Sequence, residues 1–182
     1  MNQHILVMVG SPRVNGNTDQ LADAFIKGLL TNGNSVTKIH LAQVKLNPCY
    51  GCEQCYRNGI PCVQRDDMND ILAEVGKADL IVYASPVYFS NVSAQMKMFI
   101  DRFYCIYHRD HCFPPKEAML LMTAGGTVPD AFQTSMDYFD HTIINFMGWK
   151  DRGKILVGGV LNKNDIQATD GLEKAYVFGK TI

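Results

Sequence analysis

Four short apolar segments recur along the chain, and each ends in small or turn-forming residues. They are Ile5–Val9 before Gly10, Leu80–Ala84 before Ser85-Pro86, Met119–Met122 before Thr123, and Ile155–Val157 before Gly158. Continuous apolar runs of this length indicate strands that are buried on both faces, as in a parallel sheet. The segment Val36–Leu41 mixes polar and apolar residues, so we interpret it as an edge strand.

Between these strands lie segments whose apolar residues recur at helical spacing. Three sets each fall on one helical face: Leu21, Ala24, Phe25 and Leu29; Met68, Ile71, Leu72 and Val75; and Met96, Phe99, Ile100 and Phe103. We interpret these sets as core packing and residues 130–147 and 169–182 as weaker helices. Alternating strands and helices predict one doubly wound α/β domain over residues 1–182, with its ligand outside the carboxyl ends of the strands.

Composition argues against several classes of protein. The formal net charge is -1, from 17 Lys and Arg against 18 Asp and Glu, whereas proteins that bind duplex nucleic acid usually carry a basic excess. No apolar run reaches the roughly 18 residues that a membrane span needs. No Lys or Arg precedes the first apolar run, as it would in a secretory signal. We therefore expect a soluble cytoplasmic protein that binds neither nucleic acid nor membrane.

The segment from Gly10 to Thr18 joins the first predicted strand to the first predicted helix. Its hydroxyls, amides and guanidinium, together with the free N–H groups of the helix, predict a phosphate site. The alternative is an ordinary turn in which Asn and Thr cap the helix. The segment matches neither a Walker loop nor the G-x-G-x-x-G fingerprint, and it contains no cysteine nucleophile. A passively held phosphate monoester, such as that of FMN, fits best.

Four cysteines cluster in a loop at about residues 47–66: Cys49, Cys52, Cys55 and Cys62. In a reducing compartment, such a cluster indicates metal, iron–sulfur or redox chemistry. The spacing C-x2-C-x2-C suits a [4Fe–4S] cluster, whereas zinc more often uses two cysteine pairs separated by a longer segment. In a third interpretation, the loop binds no metal and is a relic or a redox-active lid.

Other polar residues carry weaker signals. Cys105 ends a helical stripe and is expected to be buried. His108, His111 and Cys112 are able to form a small metal site, but a loop or an oligomer contact is the preferred interpretation. Arg57, Arg65 and Arg102 are expected on the solvated surface, with attraction of nicotinamide phosphates as the alternative.

Two segments carry a family resemblance. Gly10–Arg13 with Gly16–Thr18 resembles the phosphate loop of the NAD(P)H-dependent FMN reductase family, and Ser85–Lys97 with Phe99–Arg102 resembles its second flavin loop. The cysteines, followed by Asp66-Asp67-Met68, resemble the iron–sulfur flavoprotein branch. The resemblance covers nearly the whole chain. It implies a flavodoxin-like fold that binds FMN, with five parallel strands in the order 2-1-3-4-5.

The resemblance also implies which residues bind the cofactor. Ser11, Arg13, Asn17 and Thr18 would hold the phosphate; Pro86, Val87, Tyr88, Phe89, Ser90 and Asn91 would line the isoalloxazine ring; and Thr123, Ala124, Gly125 and Gly126 would form a third flavin loop. Tyr88 and Phe89 suit an apolar, stackable ring, although such aromatic residues also cover cores. Family members commonly form dimers or tetramers, so we expect a homodimer or homotetramer with the flavin near a subunit interface.

These features together predict an FMN-dependent oxidoreductase that passes hydride from NAD(P)H to flavin and electrons on to a small-molecule or protein acceptor. The flavin does the chemistry, so we assign no catalytic side chain. One alternative is an electron-transfer protein in which a [4Fe–4S] cluster on Cys49, Cys52, Cys55 and Cys62 takes electrons from a protein donor such as ferredoxin. A third is a flavin redox sensor with the cysteine loop as its switch.

Overall fold

The computed structural model describes residues 2–58, 62–107 and 116–182. Within them, five parallel strands form one sheet: β1 (His4–Val9), β2 (Ser35–His40), β3 (Leu80–Pro86), β4 (Glu117–Thr123) and β5 (Lys150–Val157). Their order is β2-β1-β3-β4-β5. The predicted doubly wound sheet and its strand order are confirmed, and the order reverses direction between β1 and β3.

Helices cover both faces of the sheet. They are α1 (Asn17–Leu30), α2 (Gln54–Arg57), α3 (Met68–Lys77), α4 (Ala94–Asp101), α5 (Tyr104–Tyr107), α6 (Gln133–Phe139) and α7 (Gly171–Gly179). A π-helical segment, Asp140–Phe146, continues α6, and a short 3-10 helix spans Asp165–Ala168. In the part of the chain that the structure describes, no helix is long and apolar enough to cross a membrane.

Strand residues alternate between two cores, because successive side chains of a strand point to opposite faces. Leu6 and Met8 of β1 belong to the core that includes residues of α3, α4 and α6. Ile5 and Val7 belong to the core on the side of α1. Burial on both faces explains why the strands appear in the sequence as uninterrupted apolar runs.

Helices α1 and α7 approach each other at two glycines. A Cβ added to Gly28 would lie 2.2 Å from the carbonyl oxygen of Tyr176, and one added to Gly179 would lie 2.4 Å from that of Phe25. The close crossing seats α7 against α1 on this face of the sheet. It also holds in place the segment of the chain that follows the loop after β5.

Two predicted elements differ in extent from the observed ones. Strand β5 begins at Lys150, five residues before the predicted Ile155, because its first half is polar and irregular: the register shifts opposite Ala118–Leu120, and Gly153 has φ 115. The predicted helix over residues 130–147 begins as α-helix only at Gln133 and ends as a π-helix. The apolar pattern of the sequence predicts neither the irregular first half of β5 nor the π-helical segment.

Candidate functional site

The loops that follow β1, β3, β4 and β5 meet at the carboxyl edge of the sheet around a cavity of about 230 Å³. Most of the predicted cofactor residues line it: Ser11, Arg13, Asn17, Thr18, Pro86, Val87, Tyr88, Thr123, Ala124 and Gly125. The cavity lies beside the point where the strand order reverses, which is where open α/β sheets bind their ligands. The fold therefore brings together segments that are far apart in the sequence.

The loop after β1 is held by its own hydrogen bonds. Ser11 Oγ accepts the backbone N–H of Arg13 at 3.1 Å, and Gly16 N donates to the carbonyl oxygen of Arg13 at 3.1 Å. Helix α1 begins at Asn17, so the N–H groups of its first turn have no acceptor inside the helix. Gly16, Asn17 and Thr18 line the cavity, and the positive end of the helix dipole therefore faces it.

Thr18 and Thr123 connect two of the loops directly. Their hydroxyl oxygens are 2.6 Å apart, and both residues are almost completely buried. Each hydroxyl has one donor hydrogen and two acceptor lone pairs. The pair therefore keeps hydrogen-bonding capacity for a ligand in the cavity.

Arg13 and Asn17 are placed differently from each other. The side chain of Arg13 is exposed, and none of the hydrogen bonds or ion pairs found among residues 2–58, 62–107 and 116–182 engages its guanidinium. The amide nitrogen of Asn17 donates to the carbonyl oxygens of Val160 and Asn162, at 3.3 and 2.7 Å. Asn17 thus ties the start of α1 to the loop after β5, while Arg13 is free to reach an anion.

The loop after β3 is a tight reversal. Tyr88 and Asn91 exchange backbone hydrogen bonds of 2.9 and 3.1 Å, and Phe89 and Ser90 between them have φ values of 48 and 62. Tyr88 lines the cavity and is 43% exposed, whereas Phe89 lies at the tip of the turn with its side chain fully in solvent. Phe89, Ser90, Asn91 and Gly126 do not line this cavity.

Ser93 joins the second loop to the first. Its hydroxyl donates to the carbonyl oxygen of Gly10 at 2.6 Å, and its backbone N–H donates to Ser85 Oγ at 2.9 Å. A Cβ on Gly10 would stand 2.8 Å from Ser93 Oγ, so only glycine allows this approach. The same hydroxyl accepts the N–H of Met96 and caps α4.

Gly16 of the predicted phosphate loop also lines the cavity. Val160 and Leu161, which the sequence did not indicate, line it as well, and they belong to the loop after β5. The signal that could have found them was the predicted strand ending at Gly158-Gly159, because every parallel strand delivers its following loop to the same edge. Gly158 is tightly enclosed there: a Cβ on it would stand 2.6 Å from the carbonyl oxygen of Gly126.

The cavity fits the donor requirements of FMN. A cation, hydroxyls and free N–H groups lie on the side of α1, as a phosphate requires. Pro86, Val87 and Tyr88 supply apolar and aromatic surface on the other side, as a flavin ring requires. None of the residues that line the cavity is a His, Cys, Asp or Glu. The lining suits the binding and orientation of a ligand, and the expectation that no side chain is catalytic stays a prediction.

The cysteine loop lies between β2 and α3. Cys49 and Cys52 are exposed, Cys62 is half-buried, and Cys55 is buried in α2. Burial raises the pKa of the Cys55 thiol, and the nearby Cys62 and Cys49 thiols raise it further. The thiols of Cys49 and Cys62 therefore both lie within electrostatic reach of the Cys55 thiol.

Among the described residues, which include all four cysteines of the loop, no group of three or more His, Cys, Asp or Glu side chains is placed to hold one metal ion. This gives no support to the zinc alternative. A [4Fe–4S] cluster uses four thiolates that bind four different irons, so its ligands stand farther apart than those of one ion.

A buried ion pair anchors this loop to α4. Arg102 donates from Nη1 to Asp66 Oδ2 at 2.7 Å and to the carbonyl oxygen of Asn47 at 2.9 Å, and from Nη2 to Asp66 Oδ1 at 3.0 Å. Burial tends to raise the pKa of Asp66, but Arg102 and the N–H groups of Asn47 and Met68 lower it to about 2. Burial tends to lower the pKa of Arg102, but the hydrogen bonds to Asp66 and the nearby Cys62 thiol raise it.

The predicted surface position of Arg102 is therefore wrong, since it is only 2% exposed. The reason is the bidentate partner Asp66, which lies 36 residues away in the sequence. The predicted burial of Cys105 is confirmed, and its thiol donates to the carbonyl oxygen of Arg102 at 3.1 Å. His108, His111 and Cys112 lie outside the described residues.

Comparison with known proteins adds sequence and fold relationships. The family model described as NADPH-dependent FMN reductase matches residues 3–142. An iron-sulfur flavoprotein of Archaeoglobus fulgidus is 46% identical over 102 residues, which cover 56% of this chain and 46% of the relative. The chain spans about half the length of the curated relatives it matches first.

Two solved structures share the fold. An NAD(P)H:quinone oxidoreductase from Methanothermobacter marburgensis superposes with a TM-score of 0.85 at 19% identity and covers 100% of this chain and 96% of its own. An FMN-dependent NADH-azoreductase from Bacillus anthracis, in complex with FMN, superposes with a TM-score of 0.69 at 14% identity and covers 100% of this chain and 99% of its own. At these identities, the likeness concerns the flavodoxin-like fold.

Proposed function

The chain belongs to the NADPH-dependent FMN reductase family, and on that premise we propose that it is an FMN-dependent oxidoreductase. It takes hydride from NADH or NADPH and passes electrons to a small-molecule or protein acceptor. The observation that carries the proposal is the cavity at the carboxyl edge, where the start of α1 and the loops after β3 and β4 converge.

The phosphate of FMN occupies the side of the cavity nearest α1. Thr18 donates its hydroxyl, Arg13 supplies the positive charge, and the N–H groups of the first helical turn complete the donors. Ser11 and Asn17 contribute mainly by shape, because Ser11 Oγ bonds Arg13 and the Asn17 amide nitrogen bonds the β5 loop. This division of roles explains how a chain without a Walker lysine holds a phosphate.

Pro86, Val87 and Tyr88 line the part of the cavity formed by the loop after β3, and these residues would hold the isoalloxazine ring. Pro86 and Val87 would give it an apolar support, and the phenol of Tyr88 would pack against it. Thr123, Ala124, Gly125 and Gly126 would form the loop at its polar edge. The N–H of Ala124 donates to the carbonyl oxygen of Val157 at 3.0 Å, so the N–H groups of Gly125 and Gly126 would be the donors to the ring. Phe89, Ser90 and Asn91 would form the turn beside it. Bound FMN supplies the hydride-accepting chemistry, and the protein orients the ring and limits the access of water.

A second candidate function is electron transfer through a [4Fe–4S] cluster on Cys49, Cys52, Cys55 and Cys62. The proximity of Cys55 to Cys49 and Cys62 favours it, as does the name of the 46% identical relative, an iron-sulfur flavoprotein. In this function a protein such as ferredoxin is the electron donor. The buried Arg102–Asp66 pair holds the two ends of the loop together.

Assembly is part of the proposal. We expect a homodimer or homotetramer, with the flavin close to a subunit interface. Phe89, which is fully exposed at the tip of the β3 loop, is the side chain best placed to be covered by another subunit or by the substrate.

One preparation tests both functions. The protein is purified anaerobically after reconstitution with FMN, iron and sulfide, and its ultraviolet–visible spectrum, iron content and acid-labile sulfide are measured. NADH or NADPH oxidation is then followed with a quinone, a nitro compound or an azo compound as acceptor. Flavin with nicotinamide oxidation supports the first function. Flavin, iron and sulfide with activity only from reduced ferredoxin supports the second, and absence of bound flavin rejects both.

A further inference from the structure

The carboxylate of Asp19 lies behind the loop that joins β1 to α1. Asp19 is the third residue of α1, is only 2% exposed, and does not line the cavity. Its Oδ2 accepts the backbone N–H of Asn15 at 2.7 Å. The carboxylate therefore touches the loop from the side opposite to any ligand in the cavity.

Asn15 is the residue of this loop that the carboxylate contacts. Its φ of 56 lies in the left-handed region, which asparagine adopts more readily than most residues other than glycine. Its carbonyl oxygen accepts a hydrogen bond from Gln20 Nε2 at 3.0 Å. Both peptide groups that flank Asn15 are thus held by side chains of the first turn of α1.

Lys38 of β2 keeps the buried carboxylate charged. Its ammonium nitrogen is 2.6 Å from Asp19 Oδ1 and 2.6 Å from Asp23 Oδ1, one helical turn farther along. Burial tends to raise the pKa of Asp19, but the hydrogen bonds from Lys38 and from Asn15 N–H outweigh it and lower the pKa. His40, whose Nε2 is 3.9 Å from Asp19 Oδ2, is the other titratable group on this side.

A negative charge in the first turn of α1 is costly if an anion binds there. Lys38 offsets that charge, and the geometry leaves Asp19 one specific task, which is to fix the left-handed turn at Asn15. We propose that Asp19, with Lys38 as its counter-ion, is a positioning residue that sets the shape of the phosphate loop for FMN. The proposal rests on the proposed FMN function and deepens it.

Two simpler roles of Asp19 make different predictions. An acidic residue at the third helical position often only caps the helix, as in a capping box, and its loss would then lower stability without changing ligand selectivity. A purely electrostatic role would make removal of the charge strengthen the binding of FMN. Of the three roles, only positioning predicts that the affinity for FMN, which carries the phosphate, falls more than the affinity for a flavin without it.

The test compares FMN with riboflavin, which lacks the phosphate, on the apoprotein of Asp19→Ala and of the matched control Asp23→Ala. Asp23 is the other carboxylate on Lys38, and it is largely exposed. Flavin fluorescence quenching gives both dissociation constants, and thermal unfolding of each apoprotein reports stability. Asp19→Asn is the conservative variant, because its amide oxygen can still accept the N–H of Asn15.

We expect Asp19→Ala to raise the FMN dissociation constant about ten-fold or more and that of riboflavin less than about two-fold, since the lost contacts are hydrogen bonds to a charged group. The FMN dissociation constant of Asp19→Asn should lie between those of wild type and Asp19→Ala. That of Asp23→Ala should match wild type. If Asp19→Ala does not fold, the nearly isosteric Asp19→Leu takes its place, because it also has no acceptor for the N–H of Asn15. Tighter or unchanged FMN binding in that variant overturns the proposal.

Other outcomes separate the two proposals. Equal losses for FMN and riboflavin, or unchanged FMN affinity in Asp19→Ala, overturn the positioning role and leave the FMN function intact. Failure of the wild-type protein to bind FMN overturns both.

Discussion

The hydroxyl oxygen of Thr18 lies 2.6 Å from that of Thr123, so one buried hydrogen bond joins the start of α1 to the end of β4. These residues are 105 positions apart in the sequence. Their contact closes one wall of the cavity and places a hydroxyl beside the free N–H groups of the helix.

Replacing Thr18 with Val should weaken the binding of FMN by about 1–3 kcal/mol, because a hydrogen bond to a charged phosphate is lost. The affinity is measured by flavin titration of the apoprotein. Thr181→Val is the matched control, since that hydroxyl bonds only the carbonyl oxygen of Phe178 at the end of α7. Unchanged affinity in both Thr18→Val and Arg13→Ala would refute the assignment of the phosphate site.

Replacing Tyr88 with Ala should change the affinity for FMN or the reduction potential of the bound flavin, because Tyr88 lines the cavity. Phe89→Ala is the matched control: Phe89 is the adjacent aromatic residue, but it lies outside the cavity lining. In the monomer, Phe89→Ala should change the FMN affinity and the reduction potential less than Tyr88→Ala does. Wild-type affinity and potential in Tyr88→Ala would make Tyr88 a packing residue only.

Replacing Arg102 with Met should destabilise the fold by about 3–5 kcal/mol, because Asp66 would remain as a buried charge without its partner. Urea unfolding at neutral pH measures the free energy. Arg57→Met is the matched control, since the Arg57–Glu53 pair is exposed and its loss should change the free energy of unfolding far less. Similar free energies of unfolding in the two variants would show that the Arg102–Asp66 pair does not anchor the loop.

Replacing Cys55 with Ser should abolish or convert the [4Fe–4S] cluster after anaerobic reconstitution, because the cluster needs all four thiolates. Cys105→Ser is the matched control, since Cys105 is buried outside the loop and its thiol bonds the carbonyl oxygen of Arg102. Iron and sulfide analysis should give about four atoms of each per chain in wild type and in Cys105→Ser. A reconstituted wild-type protein with FMN but neither iron nor sulfide would rule out the cluster.

Local patterns predicted the strands and the position of the cavity. The apolar runs that end at Gly10, Pro86 and Thr123 mark where three strands deliver their loops to one edge, and this follows from parallel topology alone. The outward position of Phe89 could not be predicted in the same way. It depends on a turn with two left-handed residues, and nothing in the sequence V-Y-F-S-N fixes which aromatic ring points inward.

Contacts between distant segments account for the remaining differences. The sequence does not show that the side-chain amide of Asn17 bonds the carbonyl oxygens of Val160 and Asn162, and its role at the phosphate stays a prediction. The sequence predicts Arg102 at the surface, because its pairing with Asp66 is set only in the folded protein. No sequence motif indicates the proposed positioning role of Asp19, because that role depends on the backbone of Asn15 and on a lysine in a neighbouring strand. Such pairings are set by tertiary packing, and periodicity contains no information about them.

Anaerobic mixing of the FMN-loaded protein with NADPH, and separately with NADH, tests the central claim most directly. The account predicts that the wild-type protein retains FMN after gel filtration and that at least one nicotinamide bleaches the oxidised flavin absorbance. Bleaching should consume one nicotinamide per flavin, because hydride carries two electrons. A protein that retains no FMN, or whose bound flavin stays oxidised with both nicotinamides, would contradict the account.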